Sequence, residues 1–184
     1  MSEINWEAED AKYIWHPAMQ MKDNEVFPPV VIDHAKGCYL YDTHGKAYLD
    51  IISSWWCNLL GHANSEINAA LKQQVDELEH VIFTNFTHKP AIELARELSE
   101  LLPAGLTKFT FHDNGSSAVE AALKMAFQYQ YQTGHPERTR FMCLPESYHG
   151  ETIGALSVGS MDLYAKIFHP MLMNNIHFKG LDCY

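Results

Sequence analysis

No stretch of this 184-residue sequence approaches the apolar length of a membrane-spanning helix. Its first residues, Met1-Ser2-Glu3-Ile4-Asn5-Trp6, have no basic segment followed by an apolar one, so no secretory signal is expected. Cysteine pairing is absent too: Cys38, Cys57, Cys143 and Cys183 are scattered without a C-x-x-C spacing and read as reduced, mostly buried thiols of a cytoplasmic protein. Positive charge is scarce, with 13 Lys and Arg against 23 Asp and Glu and a net charge of −10, which argues against nucleic acid or an acidic membrane as partner. Neither G-x-x-x-x-G-K-[ST] nor G-x-G-x-x-G occurs. The 11 histidines show no H-E-x-x-H or Cys/His ligand spacing and read as surface or turn residues rather than metal ligands. Ala155-Leu156-Ser157-Val158-Gly159 lacks the leading glycine of a nucleophile elbow, which removes a serine hydrolase.

What is present centres on Phe109–Ala126. Phe109-Thr110-Phe111 alternates as a short strand, His112-Asp113-Asn114-Gly115 breaks it, and helix formers run from Ala118 to Ala126. Ser117 followed by Glu120 has the spacing of a capping box. Strand, glycine turn and capped helix in that order gather free backbone N–H groups and the positive helix end at one point. Gly115 allows close approach, and Ser116 and Ser117 add hydroxyls, so a phosphate fits there. The same residues also fit a plain strand–turn–helix with no ligand.

Along the rest of the chain, residues 1–28 read as an arm with some helix, including Trp15-His16-Pro17. Cys38–Tyr41 and Ala47–Ile51 flank Asp42-Thr43-His44-Gly45 as a β-hairpin. Ile51–His62 carries the adjacent Trp55 and Trp56 without helical periodicity. Both pack in a core, or one lines an apolar pocket. Ser65 caps a helix to His80 with Ile67, Leu71, Val75 and Leu78 on one stripe. Pro90 opens another, with Ile92, Ala95, Leu98, Leu101 and Leu102 inward. Phe141–Leu144 suits a buried parallel strand, Pro145–Thr152 forms a loop at its carboxyl end, and a helix near Met161–Phe168 precedes a strand at Asn175–Phe178. Alternating helix and strand from residue 65 makes the fold class α/β with a largely parallel sheet.

Both Gly115-Ser116-Ser117 and Tyr148-His149-Gly150 follow short strands of that sheet. A phosphate at the first and a flat ring on Tyr148 at the second describe a phosphorylated aromatic cofactor, and pyridoxal 5'-phosphate has that shape. Asp113–Glu120, Tyr148–Thr152, Gly37–Asp42 with Gly45-Lys46, Ser53-Ser54-Trp55-Trp56 and Trp15-His16-Pro17 together resemble the class III pyridoxal-phosphate-dependent aminotransferases of fold type I, from end to end. The Ser-Ser-Trp-Trp and Trp-His-Pro stretches resemble the branch of biotin synthesis, which aminates 8-amino-7-oxononanoate to 7,8-diaminononanoate with S-adenosylmethionine or lysine as donor.

The resemblance implies that Gly115, Ser116 and Ser117 hold the cofactor phosphate, that Tyr148 borders its ring, and that Trp55 and Trp56 line an apolar wall for the substrate chain. It further implies homodimers in the full-length family and ping-pong transfer of an amino group. Residues 1–64 correspond to the N-terminal arm and hairpin segment of the small domain, and 65–184 to the first half of the large cofactor-binding domain. Ala18 stands where family members often have a substrate-facing Tyr after Trp-His-Pro, which leaves the donor open. The family's Schiff-base lysine lies further along than this chain reaches, so no catalytic residue is assigned within it. The expectation is no useful activity from the chain alone and exposed apolar surface prone to aggregation. Two other readings remain: another class III ω-aminotransferase, or a non-catalytic module that binds a phosphate ligand or pyridoxal phosphate.

Overall fold

Asp42 closes a tight turn between two strands because one carboxylate satisfies three donors. In the computed structural model, which describes residues 4–178 and 180, it accepts the N–H groups of His44 (3.0 Å) and Lys46 (2.8 Å) and the hydroxyl of Tyr48 (3.0 Å). This Asx-type turn joins β2 (Tyr39–Asp42) to β3 (Ala47–Leu49), and β1 (Ile32–Lys36) adds on the other side in antiparallel order β1-β2-β3. The expected hairpin is therefore two strands of a three-stranded sheet. Gly37, at a φ of +58°, turns β1 into β2 and bridges back to His62 through bonds of 3.0 and 2.8 Å.

Two units divide the chain, Met1–His88 and Lys89–Tyr184. The first holds α1 (Trp6–Tyr13), the sheet, the helical turn α2 (Ser53–Trp56) and α3 (Ser65–Glu77). Asn64, not Ser65, caps α3, since its side chain accepts from Glu66 and Ile67 N–H and it lies one residue before the helical backbone begins. Trp15 is exposed, while His16 reaches back to Asp10 at 2.9 Å.

The second unit runs α4 (Lys89–Leu101), α5 (Gly115–Gln132), β4 (Met142–Cys143), α6 (Ile153–Val158), α7 (Asp162–Ala165) and β5 (Ile176–His177). β4 and β5 pair in parallel, Met142 opposite Ile176 and Cys143 opposite His177. The core lies where this pair meets α6: among the described residues Cys143, Ala155, Leu156, Val158 and Ala165 are the buried apolar ones, while Cys38 and Cys57, expected buried, are exposed and Cys183 lies outside the described residues. Only one face of β4 is covered, because Cys143 is buried while Met142 and Leu144 are exposed, so the apolar run 141–144 is not sealed on both sides. Two further expectations differ. Phe109–Phe111 forms no strand, having no neighbour to pair with among the described residues. The α4 stripe is not inward either: Ala95 and Leu98 are half-buried, but Ile92, Leu101 and Leu102 are exposed.

Candidate functional site

In the second unit the site begins at Asn114. Its backbone is extended and its Oδ1 accepts the Ser117 N–H at 2.9 Å, so Asn114 is the N-cap of α5. The amides of Gly115 and Ser116, as the first two of the helix, have no carbonyl in a preceding turn to bond. A side chain added at Gly115 would meet open space. A side-chain hydrogen bond from Ser117 leads the causes that hold the Asp113 carboxyl below its ordinary range, and Asn114 Nδ2 at 3.1 Å adds to it.

The Tyr148 loop is built against this turn. Ser147 donates its hydroxyl to Leu144 O (2.8 Å), and Ser147 and Ser160 exchange two more bonds, 3.2 and 2.9 Å, that fasten the loop to the end of α6. Gly150 then sits directly on Ser116: a Cβ there would lie 2.9 Å from Ser116 Cβ and 3.1 Å from its Cα, and would strike its hydroxyl. With a φ of +124° as well, this position accepts only glycine without distortion. The Tyr148 ring is exposed, tilted against Tyr164 at 5.5 Å, and its hydroxyl donates to Glu151 at 3.2 Å. Desolvation, then the bond to Glu151, raises the phenol above its usual value, so it stays protonated and neutral.

Glu120 ties the two loops together by a route the sequence misdirected. Its spacing from Ser117 reads as a capping box, yet its carboxylate leaves α5 and accepts the Thr152 hydroxyl (2.6 Å) and the N–H groups of Gly154 (2.7 Å) and Ala155 (3.2 Å). It thus caps α6, whose own N-cap Thr152 makes no side-chain cap bond. The Thr152 bond leads the causes that lower its pKa, ahead of the two backbone bonds. The missing side chain at Gly154 leaves room for this carboxylate, since a Cβ there would meet the Glu120 carboxyl carbon at 2.6 Å and the side chain would have to shift.

Trp55 and Trp56 lie in the first unit, on α2. Ser53, Ser54, Trp55 and Trp56 have φ of +48°, +48°, +61° and +65°, and at Ser54 and Trp55 ψ is 55° and 51°. This is a left-handed helical turn without a glycine, costing roughly 1–2 kcal/mol per residue. Asp50 accepts the Ser54 N–H (2.9 Å) and hydroxyl (2.8 Å) and also His62 Nε2 (2.8 Å). The Ser54 amide leads the causes that lower the Asp50 carboxyl to about 2, followed by the His62 side chain.

Gly115, Ser116, Ser117 and the Tyr148 loop are thus gathered in one unit, and Trp55 and Trp56 are carried by the other. Asp50, His62 and Gly150 do not announce these contacts in the sequence, although Asp50 and Ser54, four residues apart, share the spacing of one turn.

This geometry sets a capped glycine turn beside an aromatic loop, and a family model gives its class: residues 19–183 match "Aminotransferase class-III", and the chain belongs to that family. Its fold is that of the fold type I pyridoxal-phosphate-dependent transaminases. Over 175 residues it is 46% identical to adenosylmethionine-8-amino-7-oxononanoate aminotransferase of Geobacter sulfurreducens, covering 95% of this chain and 39% of that protein. The crystal structure of the enzyme of that name from Methanocaldococcus jannaschii superposes with a TM-score of 0.89 at 42% identity, covering 94% of this chain and 39% of that one. An omega transaminase from Pseudomonas jessenii in complex with PMP gives 0.87 at 28% identity, covering 95% and 39%. The chain spans about 39% of the length of these relatives.

Class III aminotransferases depend on pyridoxal phosphate. The residues present fit its phosphate: two helix-end amides, the Ser116 hydroxyl and open room at Gly115.

Proposed function

We propose that this chain is the N-terminal part of a cytoplasmic, homodimeric aminotransferase that converts 8-amino-7-oxononanoate to 7,8-diaminononanoate in biotin synthesis. The observation that carries it is the seating of Gly150 on Ser116, which brings the phosphate turn and the Tyr148 loop into one site. The 46% identity to relatives named for that reaction supports the substrate, and their name favours S-adenosylmethionine over lysine as donor. No helix among the described residues is long and apolar enough to cross a membrane.

The bound cofactor would supply the electron sink for moving the amino group. Gly115 and Ser116 hold its phosphate, Ser117 completes the turn through Asp113, and Tyr148 borders the ring with a neutral phenol. Trp55 and Trp56 form the apolar wall for the substrate's methylene chain, and the cofactor-binding lysine lies outside these 184 residues. Residues 1–64 serve as the arm and hairpin segment of the small domain, and 65–184 as the first half of the large domain.

The test is growth without biotin. The complete protein, expressed in cells that lack this step, should restore growth, and failure with a soluble product overturns the reading. The fold shared with the P. jessenii transaminase supports a second reading, an ω-aminotransferase. Trp55→Ala separates the two: unchanged use of 8-amino-7-oxononanoate favours the second.

A further inference from the structure

Four successive non-glycine residues in the left-handed region need something to keep them there. Burial does not, since Trp55 is 64% exposed and Trp56 80%, and Ile51, Leu59 and Leu60 around them are exposed as well. The turn's own backbone bonds, Trp56 N–H to Ile52 O (2.8 Å) and Cys57 N–H to Ser53 O (3.0 Å), close a helical ring without choosing its hand. The choosing contact is Asp50. Its side chain is 6% exposed, and its two oxygens take the Ser54 amide and hydroxyl together, a pairing that fixes the direction in which the chain leaves residue 53.

Asp50 is itself braced. His62 Nε2 bonds its Oδ2 at 2.8 Å, and His62 is only 13% exposed at its side chain. The His62 backbone is locked to Gly37 at the end of β1, and Gly61 lies so close to Gly37 that a Cβ would stand 3.2 Å from it. Asp50 N–H bonds Cys38 O at 2.9 Å, at the other side of the same bend. The sheet therefore holds both ends of the clamp, and the clamp holds the turn.

We propose that Asp50, braced by His62, is a positioning residue: its bonds to Ser54 impose the left-handed turn that presents Trp55 and Trp56 as a preset face for a long apolar acceptor substrate. This rests on the function proposed above. A right-handed turn through the same residues would carry the two indoles round the axis in the opposite sense. The strain therefore buys a specificity surface that needs no rearrangement when the methylene chain arrives.

The test is done in the complete aminotransferase. Asp50→Asn keeps the shape and removes the charge from the bonds to Ser54 and His62. It should raise KM for 8-amino-7-oxononanoate about tenfold while kcat stays within about twofold, the pattern of lost binding rather than lost chemistry. Adding Ser53→Gly, which accepts the left-handed conformation without strain, should recover most of that KM. An unmoved KM, a loss confined to kcat, or no rescue by Ser53→Gly overturns the proposal. Should Asp50→Asn not fold, Ser54→Ala, which drops only the hydroxyl bond, should raise KM in the same direction, and an unchanged KM overturns it. An unaltered enzyme that ignores 8-amino-7-oxononanoate would instead overturn the functional reading. The clamp is then decided by whether Ser53→Gly restores the thermal midpoint lost in Asp50→Asn.

Discussion

Asp50 shows how a single carboxylate is read from its partners. Its folded pKa is lowered from 3.8 to about 2, chiefly by the Ser54 amide and then by His62. A group whose folded value is depressed stabilises the fold fully above its unfolded value, and that contribution fades as pH falls through the folded one. Tryptophan emission from the Trp55-Trp56 turn should therefore hold steady down to about pH 4 and change between that point and about pH 2. Asp50→Asn should abolish this acid step, and an identical step in the variant would assign it to other carboxylates. Gly150 is the opposite case, where the absence of a side chain matters. Gly150→Ala forces a methyl onto Ser116 at a φ of +124° and should cost about 1–3 kcal/mol. Urea unfolding measures that loss, and titration of the complete enzyme with pyridoxal phosphate should show weaker binding alongside it.

At the scale of elements, α5 and α6 form one device. Six residues give α6 little helical stability of its own, and its first amides are satisfied by Glu120 of α5. Glu120→Ala leaves those donors and the Thr152 hydroxyl without their acceptor and should destabilise the chain by about 1–2 kcal/mol. Glu120→Gln, which keeps one acceptor oxygen, should cost less, and equal costs in urea melts would refute the capping role. Because α6 also carries the far anchor of the Tyr148 loop through Ser160, the Ala variant should loosen that loop, seen as faster amide exchange at Ser147 to Gly150. Capping by Asn114 is simpler: Asn114→Ala should cost about 1 kcal/mol, the usual value for losing an N-cap.

Across the whole chain, apolar surface is widely uncovered. Among the described residues, Ile67, Leu71 and Val75 on α3 and Ile92 and Leu101 on α4 are exposed in the helical spacing that normally faces a core. The purified 184-residue chain should therefore associate as its concentration rises and bind a hydrophobic dye, with light scattering as the measurement. It should also transfer no amino group to 8-amino-7-oxononanoate by itself, and turnover by that chain would place the missing chemistry within it.

The sequence by itself determined the family, the turn at Asp42 and the capped glycine turn that opens α5, because each is written in residues close together. The strand-and-helix alternation read from residue 65 is not met, since α3, α4 and α5 follow one another before β4. Asn-Gly before helix formers and Asp-x-x-Gly between alternating segments act through bonds a few residues long. Only the tertiary structure decided where Glu120 points, since its local spacing from Ser117 is overridden by donors 32 to 35 residues away. Only tertiary structure likewise shows that Asp50 and His62, 12 residues apart, meet over a left-handed turn. Periodicity reports which face is apolar, not which hand a short turn takes. Hand was settled by a carboxylate whose brace, His62, is locked to the same bend of the sheet that anchors Asp50.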